Sequence, residues 1–199
     1  MTHPAVPHED HFRAGRALGL DHLKVGMWLF LASEVMFFAG LIAAYIVLRA
    51  GSPAWPIVSE VLNVPLVAGN TFILIVSSVT MVQAYASVQA GNQRQLRRML
   101  LATLGLGLLF LAVQAYEWSA LLGEGVTAQS SLFGASFFTL TGFHGAHVSG
   151  GVIALIFVSL KAQRGGYTQA AHQGVELMGL YWHFVDVVWI ILFTIVYLI

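Results

Sequence analysis

The sequence predicts an all-α membrane protein, a five-helix transmembrane bundle. Three observations carry that reading. Of 199 residues, 58% are hydrophobic and only 9% are charged, against about 25% charged in a typical soluble domain. Five apolar segments each exceed the ~20 residues a helix needs to cross a bilayer. The basic residues, finally, gather on one side of a five-span topology.

The segments run over about 24–48, 64–88, 99–122, 131–160 and 176–199. The first ends at Arg49 and is followed by a loop with Gly51, Pro53 and Pro56. Pro65 stands in the first turn of the second, where a missing N–H costs nothing. The fourth is long enough to tilt or to extend past the bilayer. It carries Gly142, Ala146 and Gly150 at four-residue spacing, a ridge for close helix contact, and Gly40 with Ala44 offers a shorter version in the first. Residues 1–23 are polar and His-rich and lack the continuous apolar core of a cleaved signal peptide. They read as a cytoplasmic tail, and residues 24–199 as one transmembrane domain.

Arg13, Arg16 and Lys24 precede the first segment, Arg94, Arg97 and Arg98 separate the second from the third, and Lys161 and Arg164 separate the fourth from the fifth. These are eight of the nine Lys and Arg residues; Arg49 alone falls on the other side. The positive-inside rule then places the N-terminus in the cytoplasm and the C-terminus outside. Trp55 and Trp118 fit the outer interface belt, whereas Trp189 lies deeper.

The fifth segment organises the chain. Glu176, Gly179, His183, Asp186 and Ile190 share one helix face. Asp186 lies roughly 15 Å into the segment, near the bilayer centre. A carboxylate there costs at least ~2.5 kcal/mol against lipid, so it should face protein or water. Glu34, ten residues after Lys24, reaches a similar depth. His144 and His147 occupy neighbouring positions on the fourth segment, and His183 lies a little nearer the cytoplasm. The expectation is one buried polar cluster of Glu34, His144, His147, His183 and Asp186. It relays protons, or holds a lipid or partner helix, or joins helices by hydrogen bonds alone. Glu34 is the stronger functional candidate, since Phe30, Met36, Phe37 and Phe38 offer it no partner. Glu117, near the outer interface beside Tyr116 and Trp118, reads as structural.

Zero net charge leaves no basic face for nucleic acid. The absence of Cys removes disulfides, thiolate metal sites and Cys nucleophiles. His144, His147 and His183 with a carboxylate could in principle assemble an iron or haem site, but three inward histidines are few. The tail histidines His3, His8, His11 and His22 are irregularly spaced. No metal site is expected, and no phosphate loop or nucleophile elbow is present.

Four stretches resemble subunit III of the haem–copper oxidases, the cytochrome c oxidase subunit 3 family in its five-helix bacterial form. They are Ser33-Glu34-Val35-Met36-Phe37-Phe38-Ala39-Gly40, Gln114-Ala115-Tyr116-Glu117-Trp118, Gly142-Phe143-His144-Gly145-Ala146-His147-Val148 and Tyr181-Trp182-His183-Phe184-Val185-Asp186-Val187-Val188-Trp189. The resemblance spans about 23–199, with the motifs in order. It implies a non-catalytic subunit of a terminal respiratory oxidase in the bacterial plasma membrane, which reduces O2 and pumps protons. No catalytic residue and no redox cofactor are expected in this chain, the haems and copper belonging to partner subunits. The resemblance implies a V-shaped cleft that holds phospholipids. It implies subunit I as main partner, with subunit II and other oxidase subunits, and leaves a respiratory supercomplex open. Glu34 matches the family's carbodiimide-reactive carboxylate and is the candidate for proton uptake. Quinol oxidase subunit III and the nitric oxide reductase accessory protein are the nearer alternatives. A small proton-coupled transporter using Glu34 and Asp186, or a stand-alone membrane cytochrome, is more distant.

Overall fold

Four of the five long helices begin at a side chain that caps them. In the computed structural model, which describes residues 21–53 and 55–199, Asp21 opens α1 (His22–Gly51) and Asn63 opens α3 (Val64–Gln89), which has Pro65 in its first turn. Asn92 opens α4 (Gln93–Gly123) and Ser131 opens α5 (Leu132–Gln163). Each cap accepts a hydrogen bond from an otherwise unpaired backbone N–H of the first turn. A short α2 (Val58–Val61) lies in the loop after α1. The last helix, α6 (Gln173–Phe193), continues into a π-helical turn, Thr194–Leu198. Five of these helices are long and apolar enough to cross a membrane, and no strand occurs among the described residues. The tail through residue 20, with His3, His8, His11, Arg13 and Arg16, lies outside the described residues, as does Ala54.

Some boundaries differ from those expected. α4 begins at Gln93 rather than near 99, so Arg94, Arg97 and Arg98 lie inside it. α6 begins three residues before Glu176, and α5 runs on to Gln163. Hydropathy marks only the part of a helix that suits hydrocarbon. A cap and good helix formers carry the backbone further, into the polar interface. The turn between α3 and α4 is tight because Gly91 adopts φ 74°, letting Asn92 N–H reach back to the Ser87 carbonyl at 2.9 Å.

The helices α3, α4, α5 and α6 form a ring in which α3 packs on α4, α4 on α5, α5 on α6 and α6 on α3. α1 stands outside the ring against the α5–α6 edge. Two tryptophans of α6 fill the middle of the ring, both fully buried. The Trp182 indole N–H donates to Ser77 Oγ of α3 at 3.0 Å. Its six-membered ring lies in a slot between Gly107 of α4 and Gly151 of α5. A Cβ at those glycines would come within 2.8 and 2.9 Å of it. One heptad on, the Trp189 N–H donates to Thr71 Oγ1 at 2.9 Å, and its ring meets Phe110 edge-on at 5.0 Å. Each indole thus touches three helices and leaves no unpaired N–H, which a bilayer would penalise.

The ends are tied separately. On the side where α1 begins, Lys24 pairs with Glu176 at 2.7 Å, and Arg97 Nε donates to the Ala162 carbonyl at 3.1 Å. Gln93 Nε2 donates to the Tyr167 carbonyl in the α5–α6 loop at 3.0 Å. Burial holds the Tyr167 phenol above its ordinary value, and the Lys161 ammonium lies 4.8 Å from its ring centre. At the opposite end, Arg49 donates to the carbonyls of Ile195 and Ile199, fastening α1 to the π-helical turn.

Candidate functional site

The intramembrane ionisable residues do not form one cluster. They divide into four groups, set by which neighbouring helix each side chain faces.

Glu34 has a partner that its own helix could not supply. Its Oε2 lies 2.9 Å from Nε2 of His147 on α5, both side chains being about one-fifth exposed. His147 Nδ1 donates to the Phe143 carbonyl one turn back, at 2.7 Å. That bond settles how the pair holds its protons. A carbonyl only accepts, so Nδ1 carries a hydrogen. Nε2 then either bears a second hydrogen and donates to the Glu34 carboxylate, or is bare and accepts from a protonated Glu34. In both arrangements one hydrogen lies between Glu34 Oε2 and His147 Nε2. Tyr181 of α6 donates its hydroxyl to the His147 carbonyl at 2.8 Å and stacks on Phe30 at 6.2 Å. Phe37 and Phe38 pack on the imidazole at 6.2 and 5.0 Å. The aromatic neighbours that seemed to isolate Glu34 therefore wall in its histidine.

His183 belongs to a second group. Its Nδ1 is 2.7 Å from Ser78 Oγ on α3. Ser78 also lies against Asp186. Asp186 is 4% exposed, and neither carboxyl oxygen has a hydrogen-bond partner among the described residues. Glu176, Gly179 and His183 face a common groove with Met81 and Tyr85 of α3, as their spacing predicts. Ile190, assigned to the same face, is instead 42% exposed, because the face drifts around the helix over the two heptads from Glu176.

His144 stands alone. It is buried, both ring nitrogens lack partners among the described residues, and its ring stacks on Trp189 at 4.8 Å. Three residues along α5 thus separate a histidine bonded to a carboxylate from one packed as an aromatic spacer. Glu117 forms the fourth group. Its Oε2 accepts from Gln114 Nε2 at 3.1 Å and from the Tyr197 hydroxyl at 3.0 Å. It thereby links α4 to the π-helical end of α6.

Tyr181, Ser78, Gln114 and Tyr197 complete these groups and are not among the candidates chosen from the sequence. Consecutive serines, Ser77-Ser78, in an apolar run were the one available signal; each bonds a different ring of α6. Among the described residues no three His, Asp or Glu side chains converge as metal ligands would.

An apolar groove of about 450 Å³ lies between α1 and α6, walled by Trp28, Leu31, Val35, Leu180, Phe184 and Val187 with His183 at its edge. It exists because α1 leans on the ring along one edge only.

Comparison with known proteins identifies the family. The family model described as Cytochrome c oxidase subunit III matches residues 9–199. The chain is 43% identical to the cytochrome c oxidase subunit 3 of Corynebacterium diphtheriae, over 98% of both chains. It is 42% identical to the probable cytochrome c oxidase subunit 3 of Mycobacterium leprae, over 89% of this chain and 88% of that one. It is 40% identical to the cytochrome c oxidase subunit 3 of Synechocystis sp., over 97% of this chain and 81% of the relative.

Proposed function

Since the chain belongs to the cytochrome c oxidase subunit III family, we propose that it acts as a supporting subunit within a bacterial terminal oxidase, holding lipid and assisting proton uptake while partner subunits carry out O2 reduction. As a multi-pass membrane protein of this family it associates with other oxidase subunits. Subunit I, with its haems and copper, is the main partner in this reading, subunit II the second. Cytochrome c is the electron donor, in keeping with the relatives' names.

The Glu34–His147 pair is the observation that carries the proposal. Joined to an imidazole whose other nitrogen is committed to a carbonyl, the Glu34 carboxyl keeps one proton that either partner can release. The pair is neutral while it holds that proton; releasing it leaves one negative charge, so a proton must arrive as another departs if the charge is not to face hydrocarbon. The groove between α1 and α6 has the width and apolar walls for an acyl chain, and it is the candidate for the lipid-holding cleft. Lys24, Arg94, Arg97, Arg98, Lys161 and Arg164 flank the helix ends on one side, which supports a cytoplasmic N-terminus.

The test is mild-detergent purification through a tag on this chain, with a reduced-minus-oxidised visible spectrum and mass spectrometry of the partners. A haem-bearing large subunit in stoichiometric amount is the expected result. A colourless, solitary protein would overturn the reading.

A further inference from the structure

Five cations crowd one corner of the bundle, on the side where α1 begins. Arg94, Arg97 and Arg98 stand in the first turns of α4, and Lys161 and Arg164 at the end of α5; all five are exposed. α4 and α5 are neighbours in the ring, and Arg97 Nε donates to the Ala162 carbonyl at 3.1 Å, so the two sets are held side by side. The ends of α3 and α6 on that side carry no Lys or Arg. The two carboxylates there are engaged elsewhere: Glu176 pairs with Lys24, and Asp21 caps α1 and accepts from Gln173. Among the described residues none of the five cations forms an ion pair. A topology signal needs positive charge on one side of the membrane, but not in one quarter of the bundle.

What lies beneath the cations narrows the occupant. On α4, Leu101 and Leu108 follow Arg94 at successive heptads, on one exposed face. On α5, Ile153, Phe157 and Leu160 are exposed ahead of Lys161 and Arg164, Phe157 being 68% exposed. At ~1.5 Å per residue the basic residues lie within roughly 8 Å of their helix ends. That is headgroup level, whereas the apolar stripes run on into hydrocarbon. An acidic soluble partner would meet the cations and leave the stripes bare. A phospholipid with an anionic head meets both, its phosphate accepting from guanidinium and its chains lying on the stripes.

We propose that the α4–α5 corner seats an anionic phospholipid, its phosphate among Arg94, Arg98 and Arg164 and its acyl chains along the outer faces of the two helices. The site lies on a different helix pair from the groove beside α1, and it demands a charge that the apolar groove does not. It does not depend on which subunits accompany the chain.

The experiment purifies the tagged full-length chain with its partners and places it in nanodiscs of dioleoylphosphatidylcholine. The discs carry a trace of phosphatidylglycerol with a diazirine in its acyl chain, or of phosphatidylcholine with the same chain. After irradiation, adducts are mapped by peptide mass spectrometry. One cation near an anionic lipid surface is worth about fivefold in affinity. Labelling within 101–108 and 153–160 should therefore favour phosphatidylglycerol by about tenfold or more. The triple variant Arg94→Gln/Arg98→Gln/Arg164→Gln keeps Lys161 and the tie from Arg97 to Ala162, and should lose at least about fivefold of that preference. Labelling in the groove between α1 and α6 should not change. Equal labelling by the two lipids, an unchanged preference in the variant, or no lipid adduct at these peptides, as a covering subunit would give, would each overturn the proposal. Should the variant fail to accumulate, the preference measured on the wild type decides alone.

Discussion

Adding one methyl group at Gly151 or Gly107 should loosen the whole ring, because both glycines face the same rigid side chain. A Cβ at Gly107 would stand 2.8 Å from Trp182 Cη2, and one at Gly151 would stand 2.9 Å from Cζ3. Favourable carbon contacts need about 3.5–4.0 Å, so the indole or a helix must move by roughly 0.6–1 Å. The indole has little freedom. It is fully buried, and its N–H is held by Ser77 Oγ at 3.0 Å. Overpacking of this kind costs about 1–3 kcal/mol. Gly105→Ala and Gly150→Ala are the controls. A Cβ at Gly105 meets nothing within 4 Å, and one at Gly150 meets only the Tyr181 hydroxyl at 3.7 Å. Alanine's better helix propensity, up to ~1 kcal/mol, should make these two neutral or slightly stabilising. The assay is the thermal midpoint of the purified complex, followed by fluorescence size-exclusion. Gly107→Ala and Gly151→Ala should each fall several degrees below the controls. Every atom of Trp182 within 3.0 Å belongs to its six-membered ring, so Trp182→Phe should relieve much of the Gly151→Ala penalty, a coupling of about 1 kcal/mol or more. If all four alanine variants melt together, the slot is not where Trp182 resides and the reasoning fails.

Three further outcomes follow from the polar groups. Glu34→Gln removes the transferable proton but keeps a side chain that can bond His147 Nε2; assembly should be intact, with turnover or its decay in steady-state oxygen consumption changed by about twofold to tenfold. Complete loss of O2 reduction in an intact complex would contradict a supporting role. Tyr197→Phe deletes one of two hydrogen bonds to the buried Glu117 carboxyl, and should cost about 1–3 kcal/mol in the same melting assay with oxygen consumption unchanged. Asp186→Asn should leave complex yield and midpoint nearly as in the wild type, within ~1 kcal/mol. Neither oxygen of Asp186 has a hydrogen-bond partner among the described residues, so a neutral isostere breaks none of the bonds made there; a collapse in yield would refute that reasoning.

Five helices long and apolar enough to span were legible from the sequence alone. Segment length is a one-dimensional property, and the bilayer reads it directly. The capping side chains of Asp21, Asn63, Asn92 and Ser131 are local features too, but hydropathy did not mark them. Four short motifs also carried the family resemblance without any folding argument. Which face of each helix meets which neighbour was not legible. In a soluble helix the apolar stripe marks the buried face, but in a membrane both the lipid-facing and the packed face are apolar. On α5, Phe137 is fully buried while Phe143 and Phe157 are exposed, with no difference in residue type to announce it. The rotation of α5 about its axis was therefore undetermined, and with it the fates of His144 and His147. Only the packed ring turned one toward Trp189 and the other toward Glu34, 113 positions away. The rotations of α4 and α5 together set Gly107 and Gly151 around Trp182. Segment length and hydropathy sufficed to count the helices that can cross; tertiary packing alone decided which polar groups meet, because hydrocarbon makes every helix face look alike until a neighbour covers it.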